Sequence, residues 1–292
     1  MSLKSFNSRS LSTYLFLLPA TVIMGFVLAY PIFKGLRLSF FEWQMRNLMK
    51  DPVWMGLRNY RELFADPFFW ESIQVTLKFT FSVVFIELIV GMGIALLLEK
   101  GIRGLRFFRS VFILPIMVAP VVVGVIWRFL YNPSYGMYNY LLRKVGLPAL
   151  GWLSDPKIAL GSVIIADVWQ WTPFVFLLIL AGLQGIPKEL TEASLIDGAN
   201  YFQNLFYIKI PAIASVIGIT VVLRMIDSFR SLVVIFNMTY GGPGLSTEVL
   251  SLHLYKIAFV GQRLGLAAAN AIILLIIIIS LSMIMMIKRR KG

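Results

Sequence analysis

Residues 185–211 read Gly185-Ile186-Pro187-Lys188-Glu189-Leu190-Thr191-Glu192-Ala193-Ser194-Leu195-Ile196-Asp197-Gly198-Ala199-Asn200-Tyr201-Phe202-Gln203-Asn204-Leu205-Phe206-Tyr207-Ile208-Lys209-Ile210-Pro211. This stretch lies between two long apolar runs and is the only long one that reads as a soluble docking element. Pro187 suits the first position of a helix, because its ring fixes a helical φ and its missing N–H would have no partner there. Lys188 to Asp197 are mostly good helix formers, and Gly198 supplies a turn at little conformational cost. A second short helix is expected from about Asn200 to Lys209, where Phe202, Leu205, Phe206 and Lys209 recur at i, i+3, i+4 and i+7. Neither helix reaches the roughly 20 apolar residues that cross a bilayer. The expected unit is a helix-turn-helix with an apolar face, shaped for a socket on another protein.

The flanking chain explains why such a plug would sit at a membrane. Its 292 residues are 59% apolar with a mean hydropathy of +0.82, against about 45–50% apolar for an ordinary globular domain. A formal charge of +13 raises the question of nucleic acid. However, no soluble segment carries a basic stripe interleaved with aromatics, which argues against that partner. The cations instead crowd at the ends of apolar runs, as in Lys100, Arg103, Arg106 and Arg109 and in Lys288 to Lys291, the placement the positive-inside bias produces. Without cysteine, disulfides, iron–sulfur clusters, thiolate catalysis and Cys-based zinc sites are excluded.

Six apolar runs follow in order, at about 11–33, 76–98, 107–130, 158–183, 212–236 and 266–287. The fold expected is all-α: a single polytopic transmembrane domain over 1–292, with the loop 187–211 between spans four and five. Val27-Leu28-Ala29 resembles a signal-peptide cleavage site, but the run is longer than the usual ~7–15 residues and Pro31 follows closely, so an uncleaved first span is expected. Pro115 and Pro120 should kink span three. Residues 131–157, rich in Gly, Pro and Tyr, read as a loop, and Trp43, Trp54 and Trp70 suit a membrane interface. Six spans put both termini on one side. Total Lys/Arg counts on the two sides nearly tie, but the dense basic clusters after span two and at the C-terminus place those segments, and hence both termini, in the cytoplasm.

Ionisable residues inside spans are costly and mark candidate sites. Asp167, Trp169, Gln170 and Trp171 on span four would suit a sugar, since carboxylate and amide bind hydroxyls and indole faces stack on C–H faces. On span five, Asp227 lies three residues from both Arg224 and Arg230, beside Ser228, and pairs with either on one helix face. The competing readings are structural pairing between subunits and, for the two tryptophans, anchoring at the interface. Lys78 and Arg128 near span ends are expected to snorkel, and Glu87, mid-span, has no assigned role. His253, with no second imidazole or thiol, reads as a surface residue rather than a metal ligand. No phosphate-binding Gly-x-x-x-x-Gly-Lys-Ser/Thr loop occurs.

The spacing Glu192-Ala193-Ser194, Gly198, Ile208-Lys209-Ile210-Pro211 closely resembles the "EAA" loop of permease subunits in binding-protein-dependent ATP-binding-cassette importers. The family pattern is Glu-Ala-Ala, three residues, Gly, nine residues, Ile, any residue, Leu-Pro, and this chain departs from it only at Ser194 and Ile210. Gly56-Leu57-Arg58-Asn59-Tyr60, then Thr239-Tyr240-Gly241-Gly242-Pro243, Ser246-Thr247-Glu248, Tyr255, Ala258-Phe259 and Gly265-Leu266-Ala267-Ala268-Ala269 resemble the carbohydrate-uptake group, the maltose and glycerol-3-phosphate permeases.

The resemblance implies a transport subunit and not an enzyme. ATP and Mg would be bound by partner ATPases, with no cofactor in this chain. It implies a second homologous permease, two ATPase subunits, a soluble solute-binding protein and membrane lipid as partners, in the inner membrane of a bacterium or archaeon. Glu192, Ala193, Ser194, Asp197 and Gly198 would form the ATPase contact. The alternatives left open are an importer of another small polar solute, such as an amino acid, phosphate ester or osmolyte, and a membrane-embedded enzyme using Asp167 or Glu87.

Overall fold

The computed structural model describes residues 8–47, 51–99 and 105–290, and those residues are mostly helical. In chain order the elements are α1 (Ser8–Leu38), a two-stranded hairpin β1 (Phe41–Glu42) and β2 (Val53–Trp54), α2 (Arg58–Ala65), α3 (Pro67–Glu99), α4 (Leu105–Met117), α5 (Pro120–Leu130) and α6 (Met137–Lys144). Then come α7 (Ala159–Gln184), α8 (Lys188–Ile196), α9 (Tyr201–Asn204), α10 (Ile210–Ala212), α11 (Ala214–Phe229), α12 (Val233–Met238), α13 (Leu250–Tyr255) and α14 (Leu264–Arg290). Leu205–Lys209 and Lys256–Val260 form wider π turns.

Four helical stretches, Leu15–Leu38, Pro67–Glu99, Ala159–Gln184 and Leu264–Ile287, are long and apolar enough to cross a membrane. Two bent pairs pass the same test as units: 110–117 with 120–130 at 99°, and 201–212 with 214–229 at 66°. The first bend is far sharper than an ordinary proline kink. It falls between Met117 and Pro120, where Pro120 opens α5 and so cannot carry the α4 ladder onward.

The described chain divides into two compact units. The first comprises residues 1–65 and 254–273. In it β1 and β2 pair antiparallel, Phe41 opposite Trp54 and Glu42 opposite Val53. The Asn59 amide donates to the carbonyls of Ser39 (2.8 Å) and Phe41 (2.9 Å), closing the turn after α1. The start of α14 reaches the same place: the Gly265 N–H donates to Trp43 O, and a Cβ on Gly265 would collide with the carbonyl of Phe41. Arg263 grips Glu62 through both Nη atoms, and this hydrogen-bonded guanidinium holds the Glu62 carboxyl below its ordinary range. Along α1 the apolar side chains from Leu15 to Phe33 are exposed on this chain.

The second unit comprises residues 66–253 and 274–292. Its axis is the pairing of α3 with α7. Gly91 allows it, since a Cβ there would lie 2.9 Å from Val175 Cγ1 and 3.1 Å from the Phe176 nitrogen, the close approach small residues permit between membrane helices. Ala95, Val175, Phe176, Ile179, Leu180, Leu183 and Ile213 form the buried apolar cluster at one end of this pair. The segment 131–157, expected as loop, contains α6 and an aromatic stack. Tyr131 lies 5.2 Å from both Tyr138 and Trp152, and Asn139 accepts from the Trp152 indole at 3.0 Å. Burial pushes the Tyr131 and Tyr138 phenols above their usual range.

His253 is a correction. It is buried, on a helix whose residues Leu250 to His253 are all covered, with Nδ1 3.2 Å from the Glu248 carboxylate and its ring 6.4 Å from that of Phe69. An adjacent acid five residues earlier compensates the imidazole, which composition alone does not reveal.

Gly265→Ala is expected to lower stability by about 1–3 kcal/mol, the range for overpacking, with the loss read as a lower midpoint of thermal inactivation in detergent. An unchanged midpoint would show that the α14 start yields without strain.

Candidate functional site

The second unit contains an ionic cluster in its interior. Arg224, midway along α11 and 1% exposed, donates from Nε to Glu87 Oε2 (2.6 Å) and from Nη2 to Glu87 Oε1 (2.8 Å). Nη2 also donates to Asp167 Oδ2 (2.9 Å), and Nη1 donates to Asp227 Oδ2 (2.7 Å). The guanidinium carbon sits 4.6 Å from the centroid of the Trp171 ring. One cation thus gathers carboxylates from α3 (Glu87), α7 (Asp167) and its own helix (Asp227). The fork of fixed N–H donors makes this possible for arginine and not for lysine. Glu87 and Asp167 are shut off from solvent, whereas the Asp227 side chain is 48% exposed.

Asp227 and Asp167 reach a cavity of about 150 Å³ that is also lined by Pro120, Gln170, Trp171, Arg230 and Ser231. Gln170 is 1% exposed and its Nε2 donates to Val118 O at 3.1 Å, across the break between α4 and α5. Of the residues expected along a solute path, five meet here: Asp167, Gln170, Trp171, Asp227 and Arg230. Two do not. Trp169 points the other way along α7, with its ring 5.9 Å from Trp127 in a separate apolar cavity of about 490 Å³. The Ser228 hydroxyl donates back to the Arg224 carbonyl (2.8 Å) and is buried. The sequence reading left Glu87 without a role and set Arg224 only against Asp227. Two mid-span ionisable residues of opposite sign, on different helices, were the available signal.

The segment 187–211 has its own geometry. The turn after α8 contains Gly198, whose φ of +78° lies in the left-handed region, with open space where a Cβ would project, so conformation and not room requires glycine. Asn200 and Gln203 close a reciprocal capping box at the start of α9. Glu192, Ala193, Asp197 and Gly198 are exposed, while Ser194 is buried; its hydroxyl donates to Thr191 O (2.7 Å) and accepts from the Asn204 amide, joining the two helices. The expected stripe on the second helix divides. Phe202 and Phe206 are exposed, whereas Leu205 and Lys209 are buried, because the π turn at 205–209 changes the angular spacing. Lys209 Nζ donates to Glu99 Oε2 at 2.6 Å, fastening the end of this segment to the end of α3.

A long, mostly apolar helical chain with a compensated ionic cluster in its interior has the build of a membrane transport subunit. Residues 87–291 match the family model described as the inner membrane component of binding-protein-dependent transport systems, and the chain belongs to that family. It is 35% identical over 261 residues to the trehalose/maltose transport system permease protein MalF of Thermococcus litoralis, covering 89% of this chain and 87% of that protein. It is 34% identical over 274 residues to the sn-glycerol-3-phosphate transport system permease protein UgpA of Brucella abortus, covering 92% and 91%. Its fold matches, at a TM-score of 0.82 and 22% identity over 97% of this chain and 96% of the other, a bacterial ABC transporter involved in the import of the acidic polysaccharide alginate. The chain is therefore a multi-pass membrane permease and a transport subunit, not an enzyme.

Removing one partner of a buried ion pair leaves an uncompensated charge, at about 3–5 kcal/mol. Arg224→Met is therefore expected to cause the largest loss of detergent-solubilised stability among cluster variants, Glu87→Gln a smaller one and Asp227→Asn the least. Thermal-inactivation midpoints check the order, and an Asp227→Asn loss equal to that of Arg224→Met would contradict it.

Proposed function

We propose that this chain is one transmembrane subunit of an ATP-driven importer that moves a carbohydrate delivered by a soluble binding protein. The observation that carries the reading is the convergence of Asp167, Gln170, Trp171, Asp227 and Arg230 on one cavity within a member of this permease family. Carboxylate, amide and indole are the groups that hold hydroxyls and C–H faces of a sugar. Relatives named for trehalose/maltose and for starch degradation products support the same substrate class.

In this reading each bent helix pair is one crossing, giving six, in one permease domain with both termini in the cytoplasm of a bacterium or archaeon. The segment 187–211 faces the cytoplasm. Glu192, Ala193, Asp197 and Gly198, with the exposed Ile196, Phe202 and Phe206, present the surface that enters an ATPase subunit, and Ser194 holds the two helices at their angle. A second, homologous permease completes the pathway, and two ATPase subunits bind ATP and Mg. Closure of the ATPases carries both docking segments together and turns the cavity outward, toward the binding protein. Hydrolysis returns it inward. The Glu99–Lys209 pair passes this movement to α3 as well as to the helices the segment joins.

A relative named for sn-glycerol-3-phosphate favours a phosphate ester as the second reading of the solute. Uptake of a radiolabelled panel of sugars and sugar phosphates by the reconstituted complex decides between them.

Gly198→Val forces a β-branched residue into the left-handed region. It is expected to abolish ATP-dependent uptake while the complex still inserts and assembles, and full uptake would sink the coupling assignment. Reversing Lys209 and Glu99 singly is expected to lower uptake per ATP hydrolysed, with the double reversal restoring it. Failure of the double variant to recover would remove the ion pair from the transmission.

A further inference from the structure

We infer that the cavity beside Arg224 selects a solute without net negative charge, one that brings hydroxyl donors. The inference rests on the carbohydrate-importer reading and sharpens it. Family membership leaves solute charge open, since relatives are named both for trehalose/maltose and for glycerol-3-phosphate.

Arg224 stands behind the wall, bonded to the lining residues Asp167 and Asp227, and it is committed. Four of the five N–H donors of a guanidinium go to Glu87, Asp167 and Asp227, and one face of the group lies against Trp171. An entering phosphate or carboxylate would have to displace a carboxylate already held by short bonds. Arg230, exposed at the end of α11, is the remaining cation in the lining. Asp167 and Asp227 stand in the same wall, so an anion near Arg230 also meets two carboxylates.

The acceptor the wall offers is Asp227. Gln170 turns its Nε2 to the Val118 carbonyl, because the reverse orientation would set two oxygens against each other. Its Oε1 is covered by neighbouring atoms, so Gln170 serves the wall as a support and not as an acceptor. Asp227, half exposed, presents Oδ1, the oxygen that Arg224 does not hold. Phosphate and carboxylate oxygens only accept, so they do not satisfy it. Sugar hydroxyls donate to it and accept in return from Arg230.

The test uses the assembled complex of permease, ATPases and binding protein in proteoliposomes. Calorimetry first pairs the binding protein with matched probes: glucose and glucuronate, maltose, glycerol and glycerol 3-phosphate, and free amino acids. A neutral sugar or polyol as ligand is expected. An anionic sugar or glycerol 3-phosphate overturns the inference while leaving an importer in place, whereas an amino acid sinks the carbohydrate reading itself. Maximal uptake at saturating binding protein is then measured for Asp227→Asn, Asp227→Glu and Arg230→Gln, alongside ATP hydrolysis and the amount of assembled complex. Asp227→Asn is expected to cut uptake tenfold or more, with recovery in Asp227→Glu and a smaller effect of Arg230→Gln. An Arg230→Gln loss equal to or larger than that of Asp227→Asn overturns the assignment.

Discussion

A guanidinium withdrawn from water inside a membrane protein must be compensated where it stands, and the structure is arranged to satisfy that demand at Arg224. Transfer of an ion to a low-dielectric interior is expensive unless partners and hydrogen bonds replace its hydration. Here the replacement comes from three carboxylates, two of them on other helices. The consequence is positional. α3, α7 and α11 share one polar joint within otherwise apolar packing, and dispersion alone would not set their mutual rotation so definitely. The same joint brings Asp167 and Asp227 to the wall of a small polar cavity, so helix registration and the chemistry of the cavity come from one set of contacts.

The segment after α7 obeys a different constraint. It is short, its apolar residues Ile196, Phe202 and Phe206 are exposed, and Leu205 is the buried one between them. Its geometry therefore rests on polar devices: a left-handed Gly198, the Asn200–Gln203 capping box, the buried hydroxyl of Ser194 against Asn204, and Lys209 on Glu99. The Ser194 position, one of the two departures from the family pattern, is also where the two helices are joined. The hydroxyl there has a structural partner that a methyl group would lack.

Membrane character, helical class and the short helices around Gly198 were legible in the sequence because each depends on local pattern: apolar run length, helix formers and the Pro187 and Gly198 punctuation. The 99° break at Pro120 was visible only as a kink, since the angle depends on what receives the freed carbonyls. The cavity was half legible. Asp167, Gln170, Trp171, Asp227 and Arg230 were marked by the cost of polar groups in spans, but periodicity could not say that Trp169 faces an apolar pocket or that Ser228 bonds its own helix. Glu87 meets Arg224 across 137 positions of chain, a pairing no local rule reaches. His253 escaped for a related reason. Its burial comes from the packing of α13, and its compensating Glu248 lies five residues away, outside the helical spacing a sequence reading tests.

The two ends of the Gln170 amide face unlike tasks. The nitrogen holds the carbonyl of Val118 at the break between α4 and α5, and the oxygen is unpaired. An amide is a conjugated group: a donor received at its oxygen draws electron density from its nitrogen and makes the N–H a stronger donor, as in any polarised hydrogen-bond chain. A donor at Oε1 would therefore tighten the grip on Val118, but that oxygen is covered and no solute meets it without repacking. The backbone at the break between α4 and α5 is thus held by one end of an amide whose other end is shut away from the cavity, so its grip does not depend on what the cavity contains.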